Sequence, residues 1–236
     1  MKGFCAVIPA YNEQRLIASV VEGAARRVER VFAVDDGSTD GTAAAAEGAG
    51  ATVIAHQRNM GKGVALSTGL ARAVEEGFRG AVTLDGDGQH DPSEIPRLVG
   101  EFESSGADIV VGTRMANAAG MPFIRLATNA VTSLIVTLTA GQRITDSQSG
   151  FRVFRCATAA RLPVVSSRFD AETEILIRAA RAGMKIREVP VSTIYGPEKS
   201  KINPLLDTCR FLSLILRMLF VERPHGRGRH DCRNRG

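Results

Sequence analysis

Short apolar runs alternate with longer amphipathic segments through the first 110 residues of the chain. The apolar runs lie at 4–9, 31–34, 51–55, 81–84 and 108–112. The segments between them with helical spacing of apolar positions lie at 13–27, 41–50, 61–78 and 93–106. Short buried strands separated by helices form βαβ units, whose strands run parallel. The pattern predicts an α/β fold with a Rossmann-like, mostly parallel sheet and helices on both faces.

The pattern changes after this first part of the chain. The predicted elements are then an apolar helix near 123–140, a polar loop at 143–150, a strand at 151–154, a helix at 171–183, a pair of strands within 185–195 and a last helix at 204–220. No repeat or flexible linker interrupts them. We therefore predict a single domain over 1–221, followed by a basic, disordered tail over 222–236.

Composition and charge exclude several functions. The chain has 236 residues and a formal net charge of +5, and +3 of that charge lies in the last fifteen residues. The rest of the chain is nearly neutral and has two Tyr and no Trp, which argues against nucleic-acid binding. Four scattered cysteines without CxxC spacing indicate reduced thiols, and no signal peptide opens the chain. These features predict a cytoplasmic protein.

Polar clusters follow four of the predicted strands. They read "PAYNE" after the first strand, "DDGSTDGT" after the second, "DGDGQH" after the fourth and "GTR" after the fifth. In an open α/β sheet, ligands bind at the carboxyl ends of the strands, so these clusters predict a binding site at one edge of the sheet. The first cluster lacks the glycines of a dinucleotide fingerprint, and "NMGKG" lacks the spacing of a P-loop.

The segment "LDGDGQH" has the richest chemistry of the four clusters. In an extended segment, Asp85, Asp87 and Gln89 would point to one side, with small glycines between them. Hard oxygen donors on a partly open site suit Mg²⁺ or Mn²⁺. The alternative is a solvated turn, because Asp and Gly are also common turn residues.

Seven segments together resemble one known family. They are "VIPAYNE", "VDDGSTDGT", "NMGKG", "LDGDGQH", "GTR", "DSQSGFRVF" and "YGPEKSK", in this order. Spread over nearly the whole chain, they are similar to family 2 glycosyltransferases, and most similar to the polyprenyl-phosphate (dolichyl-phosphate) mannosyl- and glucosyltransferase branch. The resemblance implies a GT-A fold, a nucleotide-diphosphate sugar donor, a divalent metal and an inverting mechanism.

The same resemblance implies a nucleoside site made by the first two clusters. Pro9, Tyr11 and Glu13 would hold the base and the ribose. Val34 and Asp36 would close the other side of the nucleoside. GDP-mannose is the first choice of donor and UDP-glucose the second, both by resemblance alone.

A diphosphate and metal site is implied beside the nucleoside site. Asp85, Asp87 and Gln89 would lie at the diphosphate and its metal, with Asp87 and Gln89 as the more direct ligands, while Arg114 and Lys201 would meet phosphate charge. A metal and cations at the leaving group would stabilise the charge that develops in the transition state. Asp87 and Arg114 are therefore catalytic candidates.

The expected acceptor is a polyprenyl phosphate, which would receive a hexose, with mannose preferred. A phosphate monoester has a second pKa of about 6 and is largely a dianion at neutral pH, so it needs no strong base. Asp146 is a third catalytic candidate, which could position the acceptor, act as a base toward a hydroxyl, or simply cap its loop. Two alternatives stay open: a family 2 enzyme with a soluble hydroxyl acceptor, and a non-catalytic nucleotide-sugar-binding protein.

Several other charged residues near these segments have simpler interpretations. Lys62 in "NMGKG" is expected to be solvated. Arg152 could bind phosphate or pair with a carboxylate, and Glu172 and Glu174 are expected to be structural at a helix start. The family often has an arginine shortly before "YG", where this chain has "TI", which puts the acceptor-phosphate contact in question.

Two apolar stretches bear on the membrane. Residues 126–142 are uncharged but too short and polar for a span, and "FLSLILRMLFV" at 211–221 is followed by the basic tail. A helix in the interface with a basic end near anionic lipids would explain the second stretch, and a core-packed helix would explain it equally well. We predict a peripheral protein at the cytoplasmic face of a membrane.

Overall fold

A computed structural model describes residues 1–115, 123–159, 170–192, 194 and 213–216, with the backbone alone for 123–128 and 170. Its seven strands are β1 (Phe4–Ala10), β2 (Arg30–Asp35), β3 (Thr52–Ala55), β4 (Gly80–Thr83), β5 (Ile109–Thr113), β6 (Arg152–Arg155) and β7 (Ile186–Pro190). Its helices are α1 (Ile17–Ala25), α2 (Thr42–Gly48), α3 (Lys62–Glu75), a 3₁₀ turn (Pro92–Glu94), α4 (Ile95–Ser105), α5 (Phe123–Ala140), α6 (Cys156–Ala159) and α7 (Asp170–Arg181). The predicted single-domain α/β architecture with a mostly parallel sheet is confirmed.

The seven strands form one sheet in the order β3-β2-β1-β4-β6-β5-β7. All neighbouring pairs are parallel except those of β6, which runs antiparallel to both β4 and β5. The sequence pattern did not predict this reversal, because it marks a strand without showing its direction. The reversal places Arg152, at the start of β6, beside Thr83, at the end of β4.

The core lies on both faces of the sheet, because successive side chains of a buried strand point to opposite sides. Along β1, Phe4, Ala6 and Ile8 pack with residues of α1 and α4. Cys5 and Val7 pack with residues of α3 and α7 on the other face. A Cβ added to Gly69 would lie 2.3 Å from Val7 Cγ1, so glycine allows α3 to approach β1 closely.

Two details of the predicted elements are wrong within the described residues. The segment predicted to hold a pair of strands has one, β7, and Val191, Ser192 and Ile194 lie outside any strand. The short helix α6, which directly follows β6, was not predicted. Most of the last predicted helix and the whole tail at 222–236 lie outside the described residues, although residues 213–216 are helical.

Candidate active site

The polar clusters converge at the edge of the sheet where β1, β2, β4 and β5 end. The reversed strand β6 adds a further segment to this edge, because a strand that runs backwards begins where its neighbours end. The loop at 143–151 therefore lies beside the ends of β4 and β5, and Gly112 donates its backbone N–H to Phe151 O at 2.8 Å. This convergence was expected for the first four clusters, and the structure extends it to the "DSQSG" loop.

The strand β4 ends at Thr83, and the "DGDGQ" segment that follows forms a turn. Gly86 and Asp87 lie in the turn, and Gly88 has a φ of +73°, in the region that favours glycine. Asp87 Oδ1 accepts the backbone N–H of Gln89 at 3.0 Å. The premise of an extended segment was therefore wrong, and same-side spacing does not explain the placement of the three side chains.

Asp85 lies at the centre of an ion-pair cluster. Its Oδ1 is 2.6 Å from Lys62 Nζ, which is also 2.6 Å from Glu172 Oε1. A Cβ on Gly150 would lie 2.8 Å from Asp85 Oδ1, so the backbone of the 143–151 loop lies directly against this carboxylate. Burial alone would raise the pKa of Asp85, but the charge and hydrogen bond of Lys62, helped by the charge of Arg114, outweigh it and lower that pKa to about 2.

The expectation that Lys62 is solvated was wrong. Its side chain is only 22% exposed and bridges the first turn of α3 to both the β4 turn and α7. Burial would lower its pKa, but the charges of Asp85 and Glu172 raise it above the ordinary lysine value. Glu172 was expected only to stabilise the start of its helix, but its carboxylate also pairs with Lys62. The signal in the sequence was the position of Lys62 at the start of a helix that follows a strand of the same sheet.

Asp87 is in a different electrostatic state from Asp85. Burial and the negative charge of Asp85 raise the pKa of Asp87 above the ordinary value. The Asp85 carboxylate is paired with a lysine, whereas the Asp87 carboxylate is less stable as an anion than an ordinary aspartate. A cation bound between these oxygens would stabilise the charged form of Asp87. Among the described residues, no three His, Cys, Asp or Glu side chains converge on one point.

His90 supports the turn from below. It is buried, and its Nδ1 accepts the backbone N–H of Asp85 at 3.1 Å. Its ring stacks on Phe151, with ring centroids 5.2 Å apart. Burial lowers the pKa of His90 below the ordinary histidine value. The backbone O of Gln89 accepts the N–H of Ile194 at 3.0 Å, which joins the turn to the segment after β7.

Arg114 and Asp146 form a bidentate ion pair at the end of β5. Arg114 Nε and Nη2 each lie 2.9 Å from a carboxylate oxygen of Asp146, and the Arg114 backbone N–H donates to the same group at 3.1 Å. Asn129 of α5 donates a further hydrogen bond at 3.1 Å. Burial raises the pKa of Asp146, but the hydrogen bonds and charge of Arg114 outweigh it and hold that pKa below the ordinary value. This geometry favours a positioning role for Asp146 over a general base.

Arg152 lies wholly inside the protein, 1% exposed. Its guanidinium donates to three backbone carbonyls, those of Ser149 at 2.8 Å, Glu172 at 2.8 Å and Ser147 at 3.1 Å. Burial lowers its pKa to about 10 even though nearby carboxylates raise it. Arg152 therefore organises the 143–151 loop and the start of α7 through their backbones.

The loops after β1 and β2 are joined to each other by hydrogen bonds. Asn12 has a φ of +55°, donates its N–H to Ser38 Oγ at 3.0 Å and accepts the N–H of Thr39 at 2.9 Å. Glu13 donates its N–H to Thr42 Oγ1 at 2.8 Å. Tyr11 is 40% exposed at the rim of these loops, where its ring can meet a ligand.

The other predicted nucleoside residues are less accessible. Pro9 and Val34 are opposite each other in the β1–β2 register, and Val34 is fully buried in the core. Asp36 is 3% exposed, and its carboxylate accepts the N–H groups of Met60 at 2.9 Å and Gly61 at 2.7 Å. Its Oδ1 also lies 2.8 Å from His56 Nδ1. Asp36 thus fixes the loop that leads into Lys62.

Lys201 and Thr193 lie outside the described residues.

The sheet order and the helices on both faces of the sheet are those of the GT-A fold. The model of the family described as Glycosyl transferase family 2 matches residues 5–163. The chain belongs to this family and is a glycosyltransferase.

Two relatives and one solved structure illustrate the similarity. The UDP-N-acetylglucosamine–dolichyl-phosphate N-acetylglucosaminyltransferase of Methanococcus voltae is 34% identical over 215 residues, covering 80% of this chain and 84% of its own. The undecaprenyl-phosphate mannosyltransferase of Micrococcus luteus is 30% identical over 201 residues, covering 80% and 82%. The crystal structure of Mycobacterium tuberculosis glucosyl-3-phosphoglycerate synthase has a TM-score of 0.73 at 23% identity, covering 91% of this chain and 80% of that one. The same enzyme was also crystallised with Mn²⁺, UDP and glucosyl-3-phosphoglycerate.

Proposed function

We propose that this protein is an inverting, metal-dependent glycosyltransferase that moves a hexose from a nucleotide-diphosphate sugar to a polyprenyl phosphate. The proposal depends mainly on the arrangement of charges at the sheet edge. There Lys62 pairs with Asp85, Asp87 lies close enough to Asp85 for its pKa to be raised, and Arg114 is close enough to Asp85 to lower its pKa. Such a site can hold a diphosphate and accept a second phosphate. The names of both relatives support the acceptor class, because each specifies a polyprenyl-type phosphate.

The donor would bind across the loops that follow β1 and β2. Tyr11 at the rim can lie against the base, while the backbone of Pro9 and Val34 at the strand ends would line the floor. The hydrogen bonds between the two loops keep this cleft rigid. Rigid loops reduce the ordering cost of binding a nucleotide.

The donor set at the β4 turn fits Mg²⁺ or Mn²⁺. Asp87, Gln89 and one oxygen of Asp85 would hold the ion, and three oxygen donors leave coordination positions for the diphosphate. Bound there, the ion would stabilise the charge of the leaving diphosphate. Crystallisation of the structurally similar synthase with Mn²⁺ and UDP is consistent with a divalent metal in this fold.

The acceptor would approach from the side of Arg114. Asp146 holds the guanidinium of Arg114 in a fixed orientation through two hydrogen bonds, which suits recognition of a phosphate. A lipid phosphate dianion attacks the sugar without losing a proton, so this reaction needs no general base. Both carboxylate oxygens of Asp146 accept hydrogen bonds from Arg114. Because this leaves Asp146 poorly placed to act as a base, the geometry supports a phosphate acceptor over a hydroxyl acceptor.

The helix α5 supports a membrane-surface location. Its residues Asn129 and Ser133 face the 143–151 loop, where Ser133 Oγ lies 3.3 Å from Ser147 Oγ. On the opposite side, Val131, Leu134 and Leu138 are 58%, 59% and 75% exposed. Within the described residues, the structure contains no helix with the length and apolarity of a membrane span. We infer peripheral attachment at the cytoplasmic face, with α5 against the lipid and the basic tail at 222–236 adding salt-sensitive attraction.

A panel of donors and acceptors tests the proposed reaction. GDP-mannose, UDP-glucose and UDP-N-acetylglucosamine would each be offered with polyprenyl phosphate, with the unphosphorylated polyprenol and with a soluble sugar. We expect transfer only to the phosphate, with GDP-mannose as the first choice, and product analysis should show inversion at the anomeric carbon. Transfer to the soluble sugar alone would favour the hydroxyl-acceptor alternative, and no transfer from any donor would favour the non-catalytic one.

The variant Asp87→Ala tests the metal assignment. Loss of one metal-binding carboxylate should lower the rate by at least about a hundredfold, because leaving-group stabilisation is a large part of the catalytic effect. Glu47→Ala, which removes an exposed carboxylate from α2, is the matched control and should keep the wild-type rate. Retained metal-dependent activity in a folded Asp87→Ala protein would contradict the assignment.

A further inference from the structure

The carboxylates around Asp85 lie close to basic side chains. Four carboxylates, those of Asp85, Asp87, Asp146 and Glu172, lie within electrostatic range of three cations, Lys62, Arg114 and Arg152. Mg²⁺ is usually bound through one or two carboxylates together with substrate phosphates, rather than by a cage made of protein groups alone.

Lys62 is the cation that balances the predicted metal site most directly. Its ammonium lies 2.6 Å from Asp85 Oδ1, at the carboxylate that a metal would approach. The second contact, 2.6 Å to Glu172 Oε1, anchors the lysine from α7. Like charges repel strongly at such distances in a partly buried site, so the ammonium opposes the entry of a divalent cation.

We propose that Lys62 is a built-in counter-ion of Asp85 that prevents uptake of a free divalent cation, so that the metal binds only together with the nucleotide diphosphate. The inference rests on the proposed metal-dependent function and adds an order of binding to it. A lysine suits this role because its ammonium is a compact point charge on a flexible stem. It can turn from Asp85 toward a phosphate oxygen while it keeps its contact with Glu172.

The loop that leads into α3 keeps Lys62 in this position. Asp36 accepts the N–H groups of Met60 and Gly61, the two residues before Lys62. Glu172 is fixed in turn, because Arg152 donates to its backbone O. The backbone before Lys62 and the carboxylate that pairs with its ammonium are therefore both held in place by hydrogen bonds.

Titration of the purified protein with Mn²⁺, followed by the electron paramagnetic resonance of the free ion, tests the proposal without reference to turnover. Wild-type protein should bind Mn²⁺ weakly alone and, after subtraction of the Mn²⁺ that UDP or GDP binds without protein, at least about tenfold more tightly with the nucleotide present. Lys62→Met should bind Mn²⁺ alone at least about tenfold more tightly than wild type, because a repulsive charge is removed. Lys62→Arg keeps the charge and should behave as wild type.

The variant Glu172→Gln removes the other charged partner of Lys62 and shows whether loss of any ion pair in this cluster raises the affinity for Mn²⁺. It leaves Lys62 to neutralise Asp85 alone, so Mn²⁺ affinity without nucleotide should stay equal or fall. A purely structural role for the ion pairs would weaken binding in both variants. The double variant Lys62→Met, Glu172→Gln removes the buried charge that Lys62→Met alone would leave unpaired, and it should also bind Mn²⁺ more tightly than wild type if the single variant does not fold.

Three results would overturn different statements. If folded Lys62→Met, or the double variant in its place, binds Mn²⁺ alone no more tightly than wild type, the counter-ion role is wrong. If wild-type protein binds Mn²⁺ equally tightly with and without UDP or GDP, the order of binding is wrong while the metal-dependent function stands, and if it binds no Mn²⁺ in either condition, the metal-dependent proposed function fails as well.

Discussion

At the scale of single residues, Asp36 is joined by its carboxylate to three residues of the loop at 56–61. Its carboxylate accepts two backbone N–H groups and contacts His56, whose Nε2 lies 3.1 Å from Thr68 Oγ1. A ligand contact through this carboxylate would compete with those partners. The structure therefore supports a role in which Asp36 shapes the loop at 56–61.

The variant Asp36→Ala tests this role. It leaves the N–H groups of Met60 and Gly61 without their acceptor, which should lower the free energy of unfolding by about 1–3 kcal/mol. Denaturant titration measures the change. Asp36→Asn keeps one acceptor oxygen and should lose less. An unchanged free energy of unfolding in Asp36→Ala would show that the loop does not depend on these hydrogen bonds.

At the scale of elements, α5 has two unlike faces. One face carries Asn129 and Ser133 toward the 143–151 loop, and the other exposes Val131, Leu134 and Leu138. Exposed apolar patches of this kind often mark interaction sites. The helix would connect a lipid surface to the loop that orients Arg114.

Glutamate on the exposed face of α5 tests the membrane contact. The double variant Leu134→Glu, Leu138→Glu should float poorly with anionic liposomes at low salt, because two negative charges replace apolar surface. Its melting temperature should stay close to that of the wild type, since both side chains are exposed. Ala44→Glu, Ala71→Glu adds the same charge to α2 and α3 and serves as the control. Equal flotation of the two double variants would exclude α5 as the contact.

The sequence predicted the strands and helices better than it predicted the turn and the ion pairs of the site. The first five strands and their helices follow from periodicity, because each is a local pattern of apolar residues. The turn at 85–88 was only the alternative to an extended segment, because two glycines permit both backbone conformations. The ion pairs of Lys62 join residues more than 20 and 100 positions apart in the chain, and the direction of β6 depends on which strands it joins. Local sequence does not encode either of these.

At the scale of the whole molecule, the ion pairs of the site make stability depend on pH. The folded-state pKa values of Asp85, at about 2, and of Asp146 lie below the ordinary aspartate value. A depressed carboxylate pKa contributes stability that is complete above the unfolded value of about 3.9 and is lost as pH falls through the folded value. Asp87 has a raised pKa and contributes with the opposite sign.

Denaturant titration between pH 5 and pH 2.5 would measure this dependence. We expect the free energy of unfolding of the metal-free protein to fall with acidification, by up to about 1.4 kcal/mol per pH unit for each proton taken up on unfolding. Asp146→Asn should show a shallower slope between about pH 4 and pH 3, with lower stability at neutral pH because Arg114 loses its charged partner. A slope identical to that of the wild type would show that Asp146 does not contribute.

The reversed strand β6 also affects how the protein can fold. During synthesis β4 and β5 are made first, yet one edge of β4 and both edges of β5 stay unpaired until β6 and β7 have been made. Unpaired strand edges promote aggregation, so the nascent chain is most vulnerable in that interval. Insertion of β6 covers the two edges of β4 and β5 that face each other and brings the 143–151 loop against Asp85 in the same step. Molecules that fail at this step should therefore lose solubility and activity together.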